Sequence, residues 1–269
     1  LFKISNNISK FEFAFTKEEI DDVLDFSHFI EFWDKLPGYT ILFLGSNNIL
    51  ISSPEFDLFE SACWFHNEAL KSNDMNVDGW EEDLFGQKQS IHHKNMCRQT
   101  IINSFLFLEA FINSLAYDFA EKNKNISKED KLFLTEKTIN KQGKKVQRFV
   151  SIEDKLHKWV KIMSPRSETF DKGRLPFQDF KEIKKVRDTI IHLTNKKVEY
   201  FRSINLEFAQ KALDVSVEMV KEIARFISHD KVEYPFWLKD KDEDGFYNVS
   251  RYYKIDDDVF EKLKEPIIN

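Results

Sequence analysis

Apolar residues through the middle of this chain recur at steps of three and four, and the pattern predicts a succession of helices. Between Gln87 and Lys122 the residues Ile91, Ile101, Phe105, Leu108, Ile112, Leu115 and Phe119 form one stripe. Leu106, Phe107 and Phe111 widen it, as expected of a long helix that is central in the fold or paired with another chain. Residues Asn123 to Arg148 interrupt the pattern with a polar, Lys-rich excursion that turns at Gln142-Gly143. Ser151-Ile-Glu-Asp then opens a helix carrying Leu156, Trp159, Val160 and Met163, stopped by Pro165. Pro176, a favoured first helical residue, precedes a stripe of Phe180, Ile183, Val186, Ile190 and Leu193. A last helix runs from Asn205 to about His229 through Leu206, Ala209, Leu213, Val217, Val220, Ile223, Ala224 and Ile227. Four helices with intervening loops predict a bundle.

The two ends read differently. Phe11, Phe13 and Phe15 alternate with Glu12 and Ala14 as in a short strand, and Thr16-Lys-Glu-Glu opens a helix to about Lys35. Tyr39 to Leu44 and Ile49 to Ser53 flank Gly45-Ser-Asn-Asn as a hairpin, and Asp57 to Leu70 suits a further helix. The tail from Asp230 is aromatic and acidic, with Tyr234-Pro-Phe-Trp237 and Asp256-Asp-Asp258, and is expected to wrap the body. The fold class is therefore mainly α, a helical bundle with a small mixed α/β N-terminal extension and an irregular C-terminal tail.

Charge follows the same division. Residues 1–85 hold 5 Lys/Arg against 17 Asp/Glu, a net of −12. Residues 86–228 hold 28 against 18, a net of +10, and residues 229–269 hold 7 against 11, a net of −4. The whole chain carries −6, so its basic middle would attract an acidic ligand that both ends repel. Three regions are expected: 1–85, 86–228 and 229–269. Two cysteines, Cys63 and Cys97, are too few for a disulfide framework and lack metal-site spacing. No unbroken apolar run approaches the roughly 20 residues that cross a bilayer, and the opening residues lack the pattern of a secretion signal. The expectation is a reduced, cytoplasmic protein with no membrane partner, no metal and no cofactor.

One helical stretch holds candidate chemistry. Arg187, Asp188 and His192 lie just downstream of Lys181, Lys184 and Lys185, with Lys196 and Lys197 following. A permanent guanidinium, an imidazole that titrates near neutrality and a run of lysines suit a phosphodiester. Asp188 and His192, four apart, share a helix face, where the carboxylate can orient the imidazole. Arg187 is about 140° around the axis from His192, so a single helix does not aim both at one atom. Two copies facing across a cleft do, which predicts a homodimer. These groups suit RNA cleavage by the substrate's own 2′-OH, with His192 as general base or acid, Arg187 on the scissile phosphate and the five lysines along the backbone.

Val186-Arg-Asp-Thr-Ile-Ile-His-Leu193 resembles the signature of the HEPN superfamily (higher eukaryotes and prokaryotes nucleotide-binding domains). That signature is an Arg, then Asn, Asp or His, then a spacer to a His late on a helix. Asn103 to Asn113, with Glu109 inside an apolar helix, is similar to the long helix of many bacterial members, and Thr169-Phe-Asp-Lys-Gly173 also fits. The resemblance covers roughly residues 87–228. It implies an HEPN-like bundle that dimerises with its motifs across a cleft, and often a metal-independent ribonuclease serving as a toxin or abortive-infection effector in bacterial defence. Carried over, Arg187 and His192 are the catalytic pair and Asp188 supports them. Glu109 is placed either at the cleft, orienting a catalytic group, or on the helix flank, pairing with a lysine. A toxic nuclease implies restraint by an antitoxin or by the acidic N-terminal segment. Some members are scaffolds without activity, so the alternative is a non-catalytic dimerisation module that binds RNA or protein.

Overall fold

The computed structural model describes residues 40–43, 48–74, 81–82, 88–89, 91–191, 204–227, 238, 240–243, 245–247, 249 and 252–254. Among them 69% are helical and 5% are in strands, which makes the protein mainly α. The strand and helix read between Phe11 and Lys35 lie outside the described residues. The chain forms two compact units: 1–36, 40–51 and 251–269 in one, 37–39 and 52–250 in the other.

The smaller unit contains a sheet in the order β1 (Thr40–Phe43), β2 (Asn48–Ser52) and β7 (Tyr252–Lys254). The expected hairpin strands are present as β1 and β2. β7 pairs antiparallel with β2, Ile49 opposite Tyr253, so the tail contributes a strand where irregular chain was expected.

In the larger unit, α1 (Pro54–Asp74) and α2 (Ile91–Lys122) pack along each other, with two short strands, β3 (Glu81–Glu82) and β4 (Lys88–Gln89), between them in sequence. The charge boundary near residue 85 therefore does not divide the structure. α1 belongs with the bundle because Phe56, Phe59, Ala62, Cys63 and Ala69 are buried. His93 of α2 is also buried, bonded to Ser72 Oγ at 3.1 Å and Ala69 O at 3.0 Å, with Cys97 Sγ at 3.5 Å from its other nitrogen. Burial pushes the His93 imidazole below its ordinary pKa and the Cys97 thiol up to about 12.

Along α2 the buried residues come as adjacent pairs, Phe107-Leu108, Phe111-Ile112 and Leu115-Ala116, and cover more than one face. That breadth lets α2 touch α1, α5 (Phe177–Ile191), α6 (Leu206–Ile227) and the turn Lys155–Trp159. By length and composition α2 is apolar enough to cross a bilayer, contrary to the reading of unbroken runs, yet 56% of its most apolar window is buried inside the protein. Phenylalanines join the layers: Phe105 stacks on Phe180 at 5.8 Å, Phe180 meets Phe177 at 5.6 Å, and Phe170 bridges Phe177 and Phe226. Such pairs add about 0.5–1.5 kcal/mol each beyond burial and fix α5 against α2 and α6.

The polar excursion is built of α3 (Lys128–Leu134) and a hairpin of β5 (Lys137–Ile139) and β6 (Lys145–Gln147). α4 opens at the Ser151 cap as Ile152–Asp154, widens to a π-helical turn at Lys155–Trp159 and closes as Val160–Met163 before Pro165. Tail residues lie on this unit: Lys241 Nζ is 2.7 Å from Asp214 Oδ1 of α6, and the Tyr247 hydroxyl donates to the same carboxylate at 2.9 Å.

Candidate functional site

α5 carries the motif. Phe177, Phe180, Ile183 and Ile190 face the core, which turns Lys181 and Lys185 to solvent. Neither lysine has an acidic partner among the described residues. The acidic residues of the same helix are occupied: Lys211 of α6 pairs with Asp179 at 2.9 Å and with Glu182 at 2.7 Å. The exposed surface of α5 is left cationic.

Arg187 sits at the border of core and surface. Its guanidinium carbon is 4.5 Å from the centroid of Phe105 on α2, and Nη1 donates to Asp188 Oδ1 at 2.9 Å. Among the described residues the buried Nε has no hydrogen-bond partner and Nη2 meets no acceptor. The side chain keeps 19% of its surface exposed. Asp188 is shared, because Lys184 Nζ donates to its other oxygen at 2.9 Å while standing 3.7 Å from Glu153 of α4. Partial burial alone would raise the Asp188 carboxyl, but hydrogen bonds from Lys184 and Arg187 outweigh it and hold the group below the usual carboxylate range. The bond to Asp188 likewise raises the Lys184 ammonium. Of the predicted phosphate-tracking lysines, then, Lys181 and Lys185 are exposed with no acidic partner among the described residues, and Lys184 is engaged. His192, Lys196 and Lys197 lie outside the described residues.

Glu109 is one helical turn along α2 from Phe105, and its described partner is a lysine. Lys155, only 3% exposed, stands 3.8 Å from Glu109 Oε1 and 3.0 Å from Glu136 Oε1, and it donates to Asn113 Oδ1 at 2.8 Å. The Lys155 ammonium also lies 4.9 Å from the Trp159 ring centroid. Sequence reading missed this buried cation and left the lysine beside Glu109 unidentified. The only local signal was a lysine one residue ahead of the apolar set Leu156, Trp159, Val160.

A second group also escaped notice. Glu55, in the first turn of α1, is buried, with Ser114 Oγ donating to Oε2 at 3.2 Å and Oε1 without a hydrogen bond among the described residues. Desolvation pushes its carboxyl up to about 7, against the opposing effect of hydrogen bonds from its own backbone, Ser53 and Ser114.

No group of three or more His, Cys, Asp or Glu side chains among the described residues has the arrangement of a metal site. No protein-family model, curated protein or solved structure matches the chain.

Proposed function

We propose that this is an HEPN-like endoribonuclease, working without metal as a homodimer and serving as a toxin or defence effector. The observation that carries the reading is Arg187: a guanidinium fixed between an aromatic ring and a carboxylate, partly exposed, with Nη2 uncommitted among the described residues, on a cationic helix. An anion bound there would meet a preorganised donor rather than a mobile side chain. In sequence His192 follows Ile191, the last described residue of that helix.

In the proposed step the ribose 2′ oxygen attacks the adjacent phosphorus while the P–O5′ bond breaks. One His192 accepts the 2′-OH proton and the other protonates the departing 5′ oxygen, giving a 2′,3′-cyclic phosphate and a 5′-hydroxyl. Arg187 offsets charge growing on the non-bridging oxygens. Asp188 holds Arg187 in place, and Lys181 and Lys185 contact flanking phosphates, with Lys196 and Lys197 extending the track. Glu109 enters as a positioning residue acting through Lys155.

One observation favours a second reading, a non-catalytic module that binds RNA or protein. Lys184, Arg187, Asp188 and Glu153 form a set with no net charge, as in a purely structural network. Incubating purified protein with RNA in EDTA decides between the two. The nuclease reading expects cyclic-phosphate ends, lost in His192→Ala and Arg187→Ala. RNA left intact, or cleaved equally by both variants, removes it.

A further inference from the structure

We propose that the β5–β6 hairpin and Phe149 form a docking arm for single-stranded RNA. The inference rests on the RNA substrate proposed above and adds a surface to it that lies outside the Arg187 motif.

Residues 137–149 carry five cations, Lys137, Lys141, Lys144, Lys145 and Arg148, and no carboxylate. The four lysines are exposed and have no acidic partner among the described residues. Register places Ile139 opposite Lys145, and Lys137 two residues along from Ile139 shares that face. One face of the hairpin thus presents ammonium groups around an apolar side chain that is 43% exposed. Phe149 beside it is 89% exposed, the most solvated large apolar residue among those described.

This exposure is not that of a loose end. On one side of Phe149, Arg148 lies over the Phe133 ring at 4.9 Å, and its N–H donates to the Glu136 carbonyl at 2.8 Å. On the other side Val150 is buried. Glu136, at the hairpin's base, adopts φ +53° and aims its carboxylate at the buried Lys155. The tip is equally defined, because Asn140 Oδ1 accepts from the backbone N–H groups of Gln142 and Lys144 while Gly143 takes φ +74°. Ordered neighbours hold an aromatic ring in water, next along the chain to a hairpin whose lysines have no acidic partner among the described residues.

Each half of that combination has a partner in one ligand. Phosphates answer the lysines, and an unpaired base offers a flat face to the phenyl ring, the pairing that single-strand-binding surfaces use. An acidic protein surface would satisfy the lysines but offers no planar group for Phe149. A duplex keeps its bases stacked and out of reach.

The test uses the full chain and a fluorescent 2′-O-methylated oligouridylate, which lacks the attacking hydroxyl and so reports binding without cleavage. Phe149→Ala should weaken binding roughly five- to hundredfold. Replacing Lys141, Lys144 and Lys145 together by Gln should lower the slope of log affinity against log salt by about two. Both variants should keep the wild-type melting temperature, the altered side chains being exposed. Arg187→Ala should lose cleavage of ordinary RNA while its remaining affinity for the probe still falls on adding Phe149→Ala. Unchanged affinity in both hairpin variants overturns the proposal, as does a wild-type protein that ignores the probe or an equal Phe149→Ala loss on a matched duplex. Cleavage without hairpin-dependent binding removes the arm and spares the nuclease, whereas hairpin-dependent binding without cleavage does the reverse.

Discussion

Arg187 of α5 lies with its guanidinium carbon 4.5 Å from the centre of the Phe105 ring on α2, and that ring is itself stacked on Phe180 of the same α5. The proposed phosphate-binding cation therefore depends on a phenylalanine at the centre of the bundle. Phe105→Leu keeps apolar bulk and removes the ring's attraction for the charge. Such an attraction contributes about 0.5–2 kcal/mol, so kcat for RNA cleavage should fall roughly three- to thirtyfold with KM little changed. A variant with wild-type kcat and a lowered melting temperature would assign Phe105 to packing alone.

Asp188→Asn should weaken the positioning of Arg187 and alter the acid limb of stability. The carboxyl is depressed in the folded protein, so its contribution is present above the unfolded value near 3.8 and disappears as pH falls through the lower folded value. Urea titrations should show wild type more stable than Asp188→Asn at neutral pH and the two converging below about pH 4. The difference should stay under about 1 kcal/mol, because a third of the Asp188 side chain is exposed. Lys184 gives the alkaline counterpart: its ammonium is raised, so its contribution holds below 10.5 and is lost as pH rises through the folded value.

Long periodic stripes made α2, α4, α5 and α6 readable from sequence, with ends displaced by few residues. Asn205, read as the start of the last helix, accepts the Phe208 N–H through its side chain at 2.8 Å, as a cap should. What escaped was set by partners distant in sequence or by a broken period. β7 exists because Tyr252 and Tyr253 meet strand β2 some two hundred residues earlier, and nothing local announces that pairing. β5 and β6, three residues each and rich in lysine, are too short to show alternation. Lys155 faces inward across a π-helical turn, where one extra residue shifts every later position by about 100°, a shift that a search at period 3.6 does not detect. Arg187 and Asp188 were legible as a motif, but the Phe105 ring that holds the guanidinium lies on another helix.

Lys155→Met should test the cluster around Glu109. It removes the cation between Glu109 and Glu136 and leaves Asn113 without its donor. Loss of one partner from a buried pair costs about 3–5 kcal/mol, reduced here because both carboxylates are about 30% exposed. A destabilisation of roughly 2 kcal/mol is expected by urea unfolding. Glu109→Gln should cost less, since Glu136 remains, and should change kcat only modestly. A Glu109→Gln protein that folds normally but is inactive would move Glu109 from positioning to the chemical step.

Glu55 sets the last expectation. Its folded pKa of about 7 lies above the unfolded 4.5, so the native state holds a proton that the unfolded chain releases. Stability carried by that proton is fully present below 4.5 and is lost as pH rises towards 7, leaving a buried carboxylate at alkaline pH. The cost there is on the order of 3 kcal/mol, lessened by whatever water reaches Oε1. The charges around the site do not relieve it: Asp118 raises the Glu55 value further, and Lys122 is 3.6 Å from Asp118 rather than bound to Glu55. Glu55→Gln keeps the shape and an acceptor for Ser114 but cannot ionise. It should therefore match wild type near pH 5, exceed it by roughly 2 kcal/mol at pH 8, and show a flatter stability profile between. Parallel profiles for the two proteins across that interval would mean that Glu55 is not protonated in the fold and finds a compensating cation.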